Sequence, residues 1–311
     1  MIIVTGASGF IGKAVALYLI EKKIHSIILV DFFMSSDKKL KDCFFVHVDM
    51  LFDFIDINKK KIDYIIHLGA ITDTTETDFE YLNKYNFQYS KHIWSKCVKY
   101  SIPLIYASSA ATYGDGKFGF SDDHKEVSFL KPLNLYAESK HNFDKYVLSQ
   151  KKVPPSWFGL KFFNVFGFDE SKKEKMASII FQSFHKISKT NKMKLFKSND
   201  KSLSDGDQCR DFIYIKDLVD VIFFLYKMKI ESGIFNVGSG EATSFNNLIS
   251  FVFKFMNKKE SIEYIKIPKN ISQKYQNYTK AEIKKLRKVG YTKKFTSIDY
   301  AIKDYIENYL I

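Results

Sequence analysis

The chain opens with a short apolar run, Ile2-Ile3-Val4, followed at once by Thr5-Gly6-Ala7-Ser8-Gly9-Phe10-Ile11-Gly12, with three glycines spaced three apart. Such a spacing serves a buried strand that turns sharply into a helix. The backbone must approach a pyrophosphate without Cβ atoms in the way, and the helix must pack closely on the strand. Free N–H groups and the helix dipole then face the phosphates. The pattern predicts a dinucleotide-binding turn at Gly6, Gly9 and Gly12, with Phe10 and Ile11 in its wall. A glycine triplet by itself also fits a purely structural turn.

Downstream, short apolar runs alternate with longer amphipathic ones, the rhythm of a parallel sheet covered by helices on both faces. Strands are expected at about 1–5, 26–31, 44–48, 63–67, 102–107 and 156–163, with helices at about 9–21, 78–100 and 135–150. Ile2-Ile3-Val4 and Tyr64-Ile65-Ile66 are continuous apolar runs, as strands buried on both faces require. The fold class that follows is α/β, a Rossmann-type doubly wound parallel sheet with a smaller C-terminal substrate-binding lobe. The division expected is 1–167 for the dinucleotide-binding domain, with 208–240 returning to it, and 168–207 plus 241–311 for the lobe. Helices are expected at about 176–186 and 219–227, strands at 211–214 and 234–238, and a polar connection over 198–208.

The 311 residues and 46% hydrophobic content suit one large α/β unit with a lobe. No charged leader or cleavage site opens the chain, and no apolar run approaches the roughly 20 residues that span a bilayer, so a cytoplasmic protein without membrane partners is expected. Cys43, Cys97 and Cys209 are odd in number and far apart, and the seven histidines are scattered, so reduced thiols and no metal site are expected. His67 reads as a packed strand-end residue. The net charge of +13 comes from dispersed lysines with few arginines and no recognition motif, which argues against nucleic acid but leaves an anionic small substrate open.

Chemistry enters with Tyr136-Ala137-Glu138-Ser139-Lys140, a tyrosine and a lysine four apart and hence on one helix face. A free phenol, with a pKa of about 10, is a poor base at neutral pH. A neighbouring ammonium and the positive ring of an oxidised nicotinamide both favour the phenolate. Chance spacing on a solvated face would give the same pattern. The third member lies in Ala107-Ser108-Ser109-Ala110-Ala111-Thr112-Tyr113-Gly114, which puts hydroxyls at the carboxyl end of a parallel strand, where open α/β sheets bind ligands. Ser109 there can hold a substrate hydroxyl beside Tyr136. Glycine turn, strand-end serine and Tyr-x-x-x-Lys in this order point to nicotinamide-dependent oxidation at carbon.

With these elements the chain resembles the extended short-chain dehydrogenase/reductase family, the NAD-dependent epimerase/dehydratases. Further segments are similar to the ADP-heptose 6-epimerase branch: Asn86-Phe87-Gln88-Tyr89-Ser90-Lys91, Lys131-Pro132-Leu133-Asn134-Leu135-Tyr136, Phe163-Asn164-Val165-Phe166-Gly167, Met176-Ala177-Ser178, Arg210-Asp211-Phe212 and Tyr275-Gln276. The similarity runs from Met1 to about Tyr291. It implies hydride removal from C6 of the heptose and its return to the opposite face, with no net use of cofactor. Two proton-transfer groups suit a carbonyl that presents both faces to one hydride donor.

By that resemblance Tyr136 is one acid/base, Lys140 tunes it and binds the nicotinamide ribose, Ser109 supports the reacting oxygen and Lys173 is the second acid/base. A solvated loop charge is the plainer reading of Lys173, within Lys172-Lys173-Glu174-Lys175. Asp31, at the end of the second strand, suits adenosine ribose hydroxyls and alone would favour NAD. Lys38 matches a lysine suited to a 2′-phosphate, so NADP is the expected cofactor and NAD the alternative. Phe32, Gly69, Ala70, Thr72, Asn86 and Val165 complete the expected cofactor contacts. Asn164, Lys175, Gln182, Phe196, Arg210 and Tyr275 are the expected contacts to a nucleotide-sugar substrate (ADP-heptose), with Arg210 suited to a pyrophosphate by its fork. A homo-oligomer, a pentamer, is also implied. The chain departs from the family at Phe168, where proline is usual, at Glu174-Lys175, where a Gly-Ser pair is usual, and at Gln182, where histidine is usual. Alternatives are a related nucleotide-sugar 4-epimerase or 4,6-dehydratase, or a non-catalytic dinucleotide-binding protein. A dehydratase calls for an acidic residue near the strand-end serine, and Ser109-Ala110-Ala111-Thr112 offers none.

Overall fold

In a computed structural model that describes residues 1–268 and 275–311, strands and helices alternate through the first half. The strands run β1 (Ile2–Thr5), β2 (Ile27–Asp31), β3 (Phe44–His47), β4 (Tyr64–His67), β5 (Leu104–Ser109), β6 (Trp157–Phe162), β7 (Asn164–Phe166), β8 (Met193–Phe196), β9 (Cys209–Tyr214), β10 (Gly233–Val237), β11 (Ala242–Ser244) and β12 (Ile262–Ile265). The helices are α1 (Phe10–Glu21), α2 (Leu51–Asn58), α3 (Phe79–Leu82), α4 (Tyr89–Tyr100), α5 (Leu135–Ser149), α6 (Ile179–Thr190), α7 (Ile215–Lys227), α8 (Phe245–Phe255), α9 (Lys284–Lys288) and α10 (Ile298–Tyr305).

Seven strands form one sheet in the order β10-β6-β5-β4-β1-β2-β3, and every neighbouring pair is parallel. Order reverses at β1, so its carboxyl end and that of β4 open the crevice that such sheets use for ligands. Successive side chains point to opposite faces, and the two cores follow that alternation. Ile2, Val4, Leu29, Ile66 and Ile105 pack with α1 and α7 on one face. Ile3, Ile28, Val30, Ile65 and Leu104 pack with α2, α4 and α5 on the other. The doubly wound α/β class is therefore the one the sequence predicts.

Local details differ in three places. Helix α2 was not expected, because Leu51 and Ile55 alone bury on its short inner face. The expected helix over 78–100 is broken into α3, a π-helical turn at Asn83–Gln88 and α4. The expected return of 208–240 to the first unit is divided: β10 joins the seven-stranded sheet, whereas β9 lies between β7 and β11 in a three-stranded sheet. Strands β8 and β12 make a separate parallel pair. No helix among the described residues is long and apolar enough to cross a membrane, and the three cysteines are free.

Candidate active site

The turn between β1 and α1 is built to the closest approach that backbone allows. Gly6 has a left-handed φ of +68°, and a Cβ there would stand 2.7 Å from Gly69 Cα. A Cβ on Gly12 would stand 2.0 Å from the Gly6 carbonyl oxygen. Gly9 caps α1 with no side chain, leaving its first N–H groups open toward the cleft. Asp31 closes the far side: Ser8 N donates to its Oδ2 at 2.9 Å and Phe32 N to its Oδ1 at 2.8 Å. A strand-to-helix cradle cleared of Cβ atoms, with an acidic residue at the end of the neighbouring strand, fits a dinucleotide.

One cleft of about 1000 Å³ runs from this cradle across the carboxyl edge of the sheet. Its wall includes Gly6, Gly9, Phe10, Ile11, Gly12, Asp31, Phe32, Gly69, Ala70 and Thr72, together with Ser109, Tyr136, Lys140, Val165 and Lys173. Ser109 ends β5, where its Oγ accepts from Ala111 N at 3.1 Å and caps the turn that follows. Asn134 caps α5 by accepting from Ala137 N at 2.8 Å, which places Tyr136 in the first turn. Burial pushes the Tyr136 phenol up, and its hydrogen bond with Ser109 works against that rise. Lys140, 5% exposed, donates to the Ala107 carbonyl at 3.1 Å. Burial brings its ammonium down to about 8, with Asp144 pulling the other way.

Asn86 stands behind this wall rather than in it. Its Oδ1 accepts from Ile71 N at 2.8 Å, while its Nδ2 donates to the Ile71 carbonyl at 2.9 Å and to Ser139 Oγ at 3.0 Å. One buried amide thus ties the loop after β4 to the helix that carries Tyr136 and Lys140. His67 has the packed role read from the sequence: Thr5 Oγ1 lies 2.7 Å from its Nδ1 and Ser90 Oγ 2.9 Å from its Nε2. Burial, with the Lys140 charge adding, holds its imidazole down to about 3.

The loop at 169–178 carries Lys173. Its base is fixed by buried Glu170, whose carboxylate accepts from Ser178 N at 2.6 Å and Ser178 Oγ at 2.7 Å. Lys13 of α1 pairs with Asp169 at 2.9 Å and Asp37 at 3.1 Å, so the loop is tied to the glycine-turn helix. Lys173 Nζ lies 4.9 Å from the centre of the Phe10 ring. Burial lowers its ammonium, opposed by Glu170. It is half-buried in the cleft wall, unlike a solvated loop charge.

On the lobe side Asn164, Gln182, Phe196 and Tyr275 line the cleft, Phe196 and Tyr275 meeting edge to face at 5.8 Å. Besides Asn86, three residues expected in the site lie outside the cleft wall. Lys38 is exposed on a short turn outside the wall. Lys175 is exposed beyond it, because Glu174 (φ +46°, ψ −116°) turns the chain outward after Lys173. Arg210 sits behind the wall, its guanidinium 5.4 Å from the Tyr275 ring and 5.5 Å from that of Phe245, both of which face the cleft.

Residues 2–238 match the NAD dependent epimerase/dehydratase family. The chain belongs to that family. Its cofactor is accordingly a nicotinamide dinucleotide. Among full-length relatives, the ADP-L-glycero-D-manno-heptose-6-epimerase of Fusobacterium nucleatum is 40% identical, with 100% of this chain and 98% of that one covered. The enzyme of the same name from Nitratidesulfovibrio vulgaris is 39% identical at the same coverage. Among solved structures, Helicobacter pylori ADP-L-glycero-D-manno-heptose-6-epimerase superposes with a TM-score of 0.82 at 29% identity, covering 98% of this chain and 94% of that one.

The family fold holds one group that sequence reading passed over. Lys161, in the middle of β6, and Asp144 of α5 are both fully buried and pair at 2.7 Å directly behind Ser109. A signal was available: one lysine inside the apolar run Trp157-Phe158-Gly159-Leu160-Lys161-Phe162 demands a buried partner. Thr74 also lines the cleft without having been named, and so do Lys172 and Gln276, which the sequence placed beside Lys173 and Tyr275 without giving them a role.

Proposed function

We propose that this protein is an isomerase that inverts C6 of ADP-D-glycero-D-manno-heptose, giving ADP-L-glycero-D-manno-heptose for lipopolysaccharide, with NADP as its cofactor. The observation that carries this reading is the placement of Ser109, Tyr136 and Lys140 in one cleft with the glycine cradle, in a chain alike over its whole length to enzymes of that name. The roles of individual residues are part of the proposal.

Bound in the cradle, the dinucleotide supplies a hydride acceptor and donor. Gly6, Gly9 and Gly12 would hold its pyrophosphate at the start of α1, and Asp31 would accept from the adenosine ribose, through the 3′-hydroxyl alone when the 2′ position carries a phosphate. Support for NADP comes from Lys38, which makes no ion pair among the described residues and can swing toward a 2′-phosphate beside Asp31. NAD remains the second reading, favoured by Asp31 itself. Residues 1–167 with 208–240 serve the cofactor, and 168–207 with 241–311, joined by Asn164 and Arg210 from the first unit, serve the sugar nucleotide.

Tyr136 takes the proton of the C6 hydroxyl as hydride leaves that carbon, and Ser109 holds the oxygen in place. Lys140 lowers the cost of the phenolate by keeping an ammonium on the same helix face. Lys173 serves the opposite face of the planar carbonyl, so that the carbon can be reduced from either side. Arg210 presents a cation behind Tyr275 and Phe245 to the substrate pyrophosphate. A homo-oligomeric state belongs to the same reading and is measured by analytical ultracentrifugation. A nucleotide-sugar 4-epimerase is the second substrate reading, and the departures at Phe168, Glu174, Lys175 and Gln182 bear on which sugar nucleotide is taken. Incubation of the purified protein with ADP-D-glycero-D-manno-heptose, followed by NMR at C6, tests the proposal: the L-glycero isomer is expected, and an unchanged substrate refutes it.

A further inference from the structure

The buried pair behind Ser109 is joined to the cleft by a chain of hydrogen bonds. Lys161 Nζ donates to Thr112 Oγ1 at 2.6 Å, and Thr112 Oγ1 donates to the Ser109 carbonyl at 2.7 Å. Asp144, besides pairing with Lys161, accepts from Ser108 Oγ at 2.7 Å and from Tyr106 OH at 3.1 Å. The carboxylate is four residues beyond Lys140 on α5, one helical turn along the same face. Lys161 and Thr112 are 0% exposed. A fully desolvated ion pair is weak as a source of stability, since apolar side chains of similar volume often do as well. Its hydrogen bonds lead instead to Ser109.

We infer that Asp144, Lys161 and Thr112 form a positioning relay: Asp144 anchors Lys161, and Lys161 through Thr112 fixes the strand-end turn that presents Ser109. The inference rests on the assignment of Tyr136 and Lys140 to proton transfer. In the turn after Ser109, the Tyr113 ring lies 5.1 Å from Lys161 Nζ, and burial pushes its phenol up, so it adds no charge. From β4, His67 is held neutral by burial and carries no opposing charge. On α5, His141 is likewise held down, to about 4, so Asp144 is the acidic group acting on Lys140. From β5, Ser108 and Tyr106 only donate to Asp144, and from β6 Lys161 is already paired with it.

The test uses two variants of the full chain, Thr112→Val and the double replacement Asp144→Leu with Lys161→Met, beside Tyr136→Phe as a control. Thr112→Val cuts the relay and leaves the ion pair, so it keeps KM within roughly threefold and lowers kcat on the order of tenfold or more, as expected for a shifted reacting group. The apolar double replacement also lowers kcat. Wild-type kcat in Thr112→Val overturns the inference, as does wild-type kcat in the folded double variant. If the double variant does not fold, Thr112→Val decides alone. Full turnover by Tyr136→Phe removes the acid–base assignment itself, and is thereby told apart from a failure of the relay.

Discussion

Gly12→Ala measures how tightly the first helix is locked onto the first strand. The added Cβ would stand 2.0 Å from the Gly6 carbonyl oxygen and 2.6 Å from its carbon, whereas ordinary contact begins at 3.4 Å. Helix α1 must therefore draw back from the turn by roughly 1.4 Å, the difference between 3.4 and 2.0 Å. Overpacking of that kind costs about 1–3 kcal/mol, which lowers melting by roughly 2–5 °C in a chain of this size. Gly9→Ala is the comparison, because Gly9 has an ordinary φ of −82° and its Cβ would lie 3.3 Å from the same oxygen. As a lost N-cap glycine it costs about 1 kcal/mol or less, yet its methyl group faces the cradle. Thermal melts of the cofactor-free proteins and fluorescence titration with the reduced cofactor separate the two. Gly12→Ala should lose both stability and binding; Gly9→Ala should lose binding alone. If Gly12→Ala melts and binds like the wild type, the close approach of helix and strand is not the reason for glycine there.

Tyr136→Phe should fold and bind cofactor as before while turnover falls by about 10²–10⁴, the usual worth of a positioned acid or base; NADPH titration and turnover on one preparation check it. Lys173→Met should lower kcat at least about tenfold more than Lys172→Met, since loss of a proton-transfer group costs at least that much, and equal effects would make Lys173 a loop charge. Acidification tests the burial of His67, whose imidazole is held at about 3 against an ordinary 6.5. From pH 6.5 downward the unfolded chain takes a proton that the folded one refuses, so stability is full above 6.5 and falls toward pH 3. Between pH 7 and 5 this share is about 2 kcal/mol. His67→Gln should shrink the pH dependence of urea unfolding by that amount, and an unchanged dependence would refute the burial argument.

The sheet was legible because both-face burial writes continuous apolar runs such as Ile2-Ile3-Val4 into the strands, and glycine marks the first turn, where a Cβ cannot fit. Ser109, Tyr136 and Lys140 were legible for a related reason: a strand end and a helical spacing of four place side chains without knowledge of the rest. Other placements depend on the tertiary arrangement. Lys172, Lys173 and Lys175 are alike in sequence, and only the turn at Glu174, with the anchors at Glu170 and Asp169, sends the third away from the cleft. Arg210 carries the charge a pyrophosphate needs, but whether it faces the cleft is decided by Phe245 and Tyr275, far off in the chain. The π-helical turn at Asn83–Gln88 left no periodic signature, although the buried asparagine within it was singled out by resemblance.

The account turns on a hydride that leaves C6 and returns to the same carbon within one cleft. The most direct measurement is epimerisation of substrate carrying deuterium at C6, run in ordinary water and followed by NMR and mass spectrometry. The account predicts an inverted product that keeps its deuterium, with no net consumption of added cofactor. Inversion with loss of the label to solvent would contradict it, because the carbon would then exchange a proton and the nicotinamide cradle would have no part in the reaction.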